Sequence, residues 1–310
     1  MSQQPAVEVV DLLKRYHGRA VVDGISFDAH AERVTAVLGP NGAGKTTTVE
    51  CCEGLRVPDG GRVRVLGDDP ARRDPRTRAR IGVMLQDGGL PPAVRARDLL
   101  ATLARFHARP LAVPDLLGWL GLEDAADTPV RRLSGGQRQR LAFAASVIGR
   151  PAVVFLDEPT AGLDPQARLA VWDLIARLRA DGVAVVLTTH LMDEAERLAD
   201  TVLVIDSGRV VAHGSPRDLL GADGGSLHFT GPAGLDLSSL IPTLPPGVHV
   251  LEVEPGHFEA TAHDGAALDV HALAAVTTWC AAADVDPRGV SLRARTLEDV
   301  FLELTGRAMR

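Results

Sequence analysis

Val34-Thr35-Ala36-Val37-Leu38-Gly39-Pro40-Asn41-Gly42-Ala43-Gly44-Lys45-Thr46-Thr47 is the stretch from which the fold can be read. The run Val34 to Leu38 predicts a short strand, and its continuous rather than alternating apolarity marks a strand covered on both faces. The nine residues after it fit the phosphate-loop pattern, in which glycines let backbone N–H groups curl around phosphate oxygens at a helix start. Gly39, Gly42 and Gly44 admit a pyrophosphate close to the backbone, with Pro40, Asn41 and Ala43 completing the loop. Lys45 supplies a charge for the outer phosphates, the Thr46 hydroxyl is suited to Mg2+, and Thr47 adds a further phosphate contact. A glycine-rich turn with a chance lysine would not produce the complete pattern directly after a strand. By itself the loop says only that a nucleotide binds.

Two further stretches narrow the reading. Leu133-Ser134-Gly135-Gly136-Gln137 contains a Ser-x-x-Gln capping box, a second helix start able to receive an anion. Val153-Val154-Phe155-Leu156-Asp157-Glu158 reads as a buried strand presenting two carboxylates at its carboxyl end. Alternation along an extended chain would point them in opposite directions, and so give them separate tasks. An acidic helix cap before Pro159 would explain one carboxylate but not both. One nucleotide hardly needs two helix starts from a single chain.

In this order and spacing the three stretches resemble the ATP-binding cassette family, over roughly the first two thirds of the chain. The resemblance implies a mainly parallel α/β P-loop NTPase sheet, an antiparallel β subdomain and a helical insertion. It also implies a homodimer, with ATP held between the phosphate loop of one subunit and Ser134, Gly135, Gly136 and Gln137 of the other. On the same ground Asp157 orients Mg2+ and Glu158 is the general base on the attacking water. Gln86 links Mg2+ and that water to the helical insertion, His190 contacts the outer phosphate, and Asp164, in Ala161-Gly162-Leu163-Asp164, lies across the dimer seam. Taken alone, a glutamine at position 86 is usually a solvated loop residue and a lone histidine such as His190 most often structural. Tyr16, the chain's only tyrosine, has two readings: stacking on adenine just after the first strand, as the resemblance implies, or filling the core.

The 310 residues exceed the usual size of one hydrophobic core, so two domains are expected. A net charge of -7 argues against a phosphate-backbone binder, and hence against nucleic acid as partner. Cys51, Cys52 and Cys280 give neither metal-ligand spacing nor an even disulfide framework, which suits a reducing cytosol. No apolar run approaches the roughly 18 to 20 residues of a membrane span, so any pore must come from another chain. Only Lys14 and Lys45 are lysines among 33 basic residues, which suggests that the phosphate loop needs a compact ammonium where a guanidinium fork would not fit.

Residues 1–220 read as the cassette, with further strands at Val7 to Leu13, Val21 to Phe27, Ile81 to Leu85, Val183 to Leu187 and Val202 to Ile205, and a helical subdomain over about 87–150. Leu99, Leu100, Leu103, Phe106, Leu116, Leu117 and Leu120 supply the helical pattern of that insertion. Arg72, Arg73, Arg76, Arg78 and Arg80 read as a solvated face. Gly221 to Gly225 is a linker, and 226–310 reads as a small C-terminal α/β domain with strands near 227–229, 248–253, 258–262 and 290–292. A helix over about 268–283 and a capped helix from Thr296 to Thr305 complete it.

The ending Leu297 to Gly306 resembles the tail of cassette ATPases serving two-component bacterial exporters of the drug-resistance type. The expectation is therefore an ATP hydrolase, peripheral on the cytoplasmic face of the membrane, that powers export of a drug, antibiotic or lipid-like molecule through a separate integral-membrane permease. An importer subunit and a soluble cassette ATPase are the alternatives. The single cassette, and the short span without heptads between Gly44 and Ser134, speak against the soluble kinds.

Overall fold

The computed structural model describes residues 4–85, 89–221, 225–262, 268, 270–283, 285–286 and 288–306. The chain divides into two compact units, residues 1–216 and Arg217–Gly306.

The first unit contains β1 (Val7–Tyr16), β2 (Arg19–Ala29), β3 (Val34–Leu38), α1 (Lys45–Cys52), β4 (Gly60–Val65), α2 (Pro75–Arg78), β5 (Ile81–Met84), α3 (Ala96–Ala104) and α4 (Val113–Trp119). These are followed by α5 (Gly135–Val147), β6 (Val153–Asp157), α6 (Pro165–Ala180), β7 (Ala184–Thr189), α7 (Met192–Leu198), β8 (Thr201–Asp206) and β9 (Arg209–Gly214). Six strands form one sheet in the order β5-β6-β7-β3-β8-β9, parallel except for β9. Every residue of β3, β6 and β7 is buried, as strands covered on both faces must be. The parallel register Leu38↔Thr189 and Asp157↔Thr188 brings the carboxyl ends of these strands level, and the loops carrying phosphate-loop, acidic and histidine residues leave from there.

A second, antiparallel sheet orders β2-β1-β4. β4 and β9 escaped the sequence reading because both are partly solvated and carry arginine or glycine, so they lack the apolar run that marked the other strands. In the helical insertion Leu99, Leu100, Leu116, Leu117 and Leu120 are buried as expected, whereas Phe106 is 78% exposed because α3 has already ended at Ala104.

α8 (Pro216–Leu220) spans the division between the units. The second unit holds β10 (Gly225–Thr230), β11 (Val248–Glu254), β12 (His257–Ala262), α9 (Val270–Ala282), β13 (Arg288–Ala294) and α10 (Leu297–Thr305). Its antiparallel sheet runs β11-β12-β10-β13. Leu227, Phe229, Val248, Val250, Phe258 and Ala260 cluster with Val276, Trp279 and Cys280 of α9, and the rings of Phe229 and Phe258 stack at 5.0 Å. Thr296 and Asp299 form the capping box of α10, and Gly306 closes it at φ 65°. Among the described residues no helix is long and apolar enough to cross a membrane.

Candidate functional site

The phosphate loop is shaped by glycines that no other residue could replace. Gly39 has φ 155° and a Cβ there would run into the carbonyl oxygen of Ile205; at Gly44, φ 104°, a Cβ would stand 2.6 Å from the carbonyl oxygen of Val21. The loop therefore lies against β2 and β8 and delivers its chain into α1 at Lys45. Lys45 is 5% exposed, and its Nζ donates to the carbonyls of Gly39 at 2.7 Å and Pro40 at 3.2 Å. Burial lowers the pKa of Lys45, and the nearby Glu158 and Asp157 oppose that shift.

Asp157, the last residue of β6, is buried beside this lysine. Its Oδ1 accepts from the Thr188 hydroxyl of β7 and, at 3.4 Å, from the Thr46 hydroxyl of α1. Burial raises its pKa, while the bonds from Thr188 and Thr46 pull it back. Lys45 and Thr46 thus approach the carboxylate from one element and Thr188 from another.

Glu158 departs from the expectation of simple strand alternation. It lies beyond β6 with φ 48°, a left-handed backbone that a glutamate occupies only when its surroundings hold it. Its N–H is shared between the carbonyl and the hydroxyl of Thr188, each at 3.1 Å, and its C=O accepts from Gln139 Nε2 of α5 at 2.7 Å. The two carboxylates are separated by this backbone turn, not by the pleat. Glu158 Oε1 lies 3.4 Å from His190 Nδ1, at the end of β7, with the carboxylate side chain 12% and the imidazole side chain 41% exposed.

Lys45, Thr46, Asp157, Glu158 and His190 therefore converge on one place. Ser134, Gln137 and Asp164 serve instead as helix caps, each bonded within its own helix start. Ser134 Oγ accepts from Gln137 N at 3.1 Å and Gln137 Oε1 from Ser134 N at 2.9 Å, completing the expected capping box at an exposed end of α5. Asp164 caps α6 through Ala167 N at 2.8 Å. Gln86 lies outside the described residues.

Tyr16 is the closing residue of β1, not a residue after it. It is half-buried, with Arg56 Cζ 5.4 Å and Lys14 Nζ 5.6 Å from its ring centre, and its buried hydroxyl has no hydrogen-bond partner among the described residues. Lys14 in turn donates to the Val57 carbonyl and to Asp59.

Sequence reasoning missed Thr188, Gln139 and a buried triad. Glu194 of α7, with no exposed surface, accepts through Oε1 from the Thr160 hydroxyl at 2.8 Å and the Trp172 indole N–H at 3.0 Å. This joins the segment after Glu158, α6, and the helix after His190. Thr188 could have been noticed as a hydroxyl interrupting an apolar run. Gln139 and Glu194 carry no local signal, because their partners lie 19 and 34 residues away.

A strand, a glycine-rich loop at a helix start, and two carboxylates with a histidine at neighbouring strand ends define a nucleotide-hydrolysing α/β protein. A family model described as ABC transporter matches residues 22–161. Two proteins named Nod factor export ATP-binding protein I are similar over nearly the whole chain. That of Ralstonia nicotianae is 38% identical, covering 99% of this chain and 95% of its own; that of Paraburkholderia xenovorans is 36% identical, covering 99% of both. Among solved structures, an ATP-binding subunit of an ABC transporter matches at TM-score 0.64 and 27% identity over 69% of this chain and 91% of its own. A dimeric ATP-binding cassette in a post-hydrolysis state, bound to ADP and Pi, shares the fold at TM-score 0.63 and 23% identity over 68% of this chain and 99% of its own. The chain belongs to the ABC transporter family, as one of its ATP-binding, ATP-hydrolysing proteins.

Proposed function

We propose that two copies of this chain close on two ATP molecules and power export of a small drug-like, antibiotic or lipid-like molecule through a separate integral-membrane permease, docked on the cytoplasmic face of the membrane. One observation carries the dimer: Lys45, Asp157, Glu158 and His190 converge, while the capping box of Ser134 opens a helix start that is exposed to solvent. A reaction centre lacking its second anion-binding helix start is completed by a partner's. Export is favoured over import because the relatives aligned along nearly the full chain are named for export.

Within such a centre Lys45 exchanges the Gly39 and Pro40 carbonyls for phosphate oxygens, with the loop amides alongside. The hydroxyl of Thr46 and the carboxylate of Asp157, 3.4 Å apart and both hard oxygen donors, fit Mg2+, and Gln86 is assigned to the same ion. When bound, Mg2+ neutralises phosphate charge. Glu158 takes the proton of the attacking water, its carboxylate standing beside His190 on a left-handed turn of the backbone. His190, 3.4 Å from that carboxylate, holds the outer phosphate. Tyr16 stacks on adenine, and Asp164 and the cap of α6 meet the partner across the seam.

Mixing two inactive variants tests the composite site. In a Lys45→Ala and Ser134→Glu heterodimer both lesions fall in one shared site and the other stays intact, so ATP turnover returns to about half of the wild-type level. Mixtures as inactive as their parents would sink the composite reading.

A further inference from the structure

Glu158 occupies a left-handed backbone that its own side chain disfavours, and anchors from two other elements hold it there. One comes from the sheet, where the Glu158 N–H meets the carbonyl and hydroxyl of Thr188 on the neighbouring strand β7. The other comes from outside the sheet: Gln139 Nε2, in the second turn of α5, donates to the Glu158 carbonyl at 2.7 Å. The carbonyl also accepts from Ala161 N at 3.2 Å, a bond within the same turn that moves with it and fixes nothing externally. α5 is the helix opened by Ser134, and Gln139 sits five residues from that cap, about 7.5 Å along a rigid helix axis.

We infer that Gln139 is a positioning residue for catalysis: it locks the backbone of the general base in its own chain, so that α5, whose first turn meets the partner's nucleotide, also sets the aim of Glu158. The inference rests on the composite-site reading above. Gln139 acts through the peptide that turns the Glu158 carboxylate toward His190. A misplacement of a catalytic group by about 1 Å costs as much as 10²-fold in rate. Loss of this anchor is therefore expected to lower kcat about 10- to 100-fold, leaving KM for ATP unchanged.

The test uses heterodimers in which one protomer carries Lys45→Ala, leaving a single live phosphate loop on the other. Gln139→Met, equal in length and without a donor, is placed on either protomer. On the live protomer it lowers turnover 10- to 100-fold at unchanged KM, and Gln139→Lys, which keeps a donor, recovers part of the loss. On the Lys45→Ala protomer it leaves the pair as it was, although that protomer's α5 faces the live site. An equal loss from either protomer, a raised KM, or no loss from the live one would overturn the assignment. Should Gln139→Met prevent assembly, Gln139→Glu, which keeps the shape and removes the donor, is read in the same way. Failure of the composite site itself shows separately, as absence of rescue between Lys45→Ala and Ser134→Glu without any change at Gln139.

Discussion

Replacing Thr188 by Val removes one oxygen from the junction of β6 and β7 while keeping the side-chain shape. That oxygen has two roles: its O–H donates to Asp157 Oδ1, and its lone pair accepts from Glu158 N–H. Thr188 has no exposed surface, so water cannot enter to replace either bond. A hydrogen bond to a charged group contributes about 1.5–3 kcal/mol. The Glu158 N–H keeps the Thr188 carbonyl at 3.1 Å, so its loss adds less than about 1 kcal/mol. Thr188→Val should therefore destabilise the fold by about 1.5–4 kcal/mol in urea titration at pH 7.

The sign of the pH dependence follows from Asp157. Its folded pKa already lies above the ordinary value through burial, with the Thr188 bond restraining it, so the variant raises it further. A raised carboxylate pKa lowers stability above the unfolded value, and the penalty fades as the group protonates. The deficit of Thr188→Val is thus full at neutral pH and shrinks toward pH 4. ATP hydrolysis should fall with it, since the same oxygen holds both carboxylate-bearing residues. A variant that melts and hydrolyses like wild type, or whose deficit grows on acidification, would refute the reasoning.

Glu53, at the end of α1, has one carboxylate oxygen buried without a partner among the described residues, and burial together with Asp157 and Glu50 pushes its pKa up to about 8. The folded state therefore keeps a proton that the unfolded chain releases above about 4.5, and stability declines between those values. Glu53→Gln should raise stability by about 1–3 kcal/mol at pH 8, a figure discounted for its partial exposure, and leave it unchanged near pH 4.5; thermal melts at the two pH values decide. Glu194→Ala strands the buried Thr160 hydroxyl and Trp172 indole and should cost about 3–4 kcal/mol, whereas Glu194→Gln, which keeps the acceptor, should cost under about 1.5; chemical denaturation separates them, and equal losses would mean that the two bonds contribute little. Tyr16→Ala should weaken ATP binding by about 1.4 kcal/mol, a tenfold rise in Kd by titration calorimetry; an unchanged Kd returns Tyr16 to a purely structural role.

Local chain chemistry was sufficient for the phosphate loop, the two capping boxes and the buried parallel strands. Each is written within a few consecutive residues: Gly39 to Thr46 for the loop, Ser134 with Gln137 and Thr296 with Asp299 for the caps, Val153 to Leu156 for a strand. β4 and β9 stayed illegible because partly solvated strands have no apolar signature of their own. The meeting of Asp157 with Thr46 and Thr188, the left-handed turn at Glu158, its anchor on Gln139 and the Thr160–Glu194–Trp172 triad were settled by tertiary structure alone. In each, a side chain is fixed by a partner on another element, 19 to 111 residues distant, and such pairing follows from how strands and helices pack. Periodicity and capping report the nearest turn of chain; the aim of a catalytic carboxylate depends on which elements the folded core presses together.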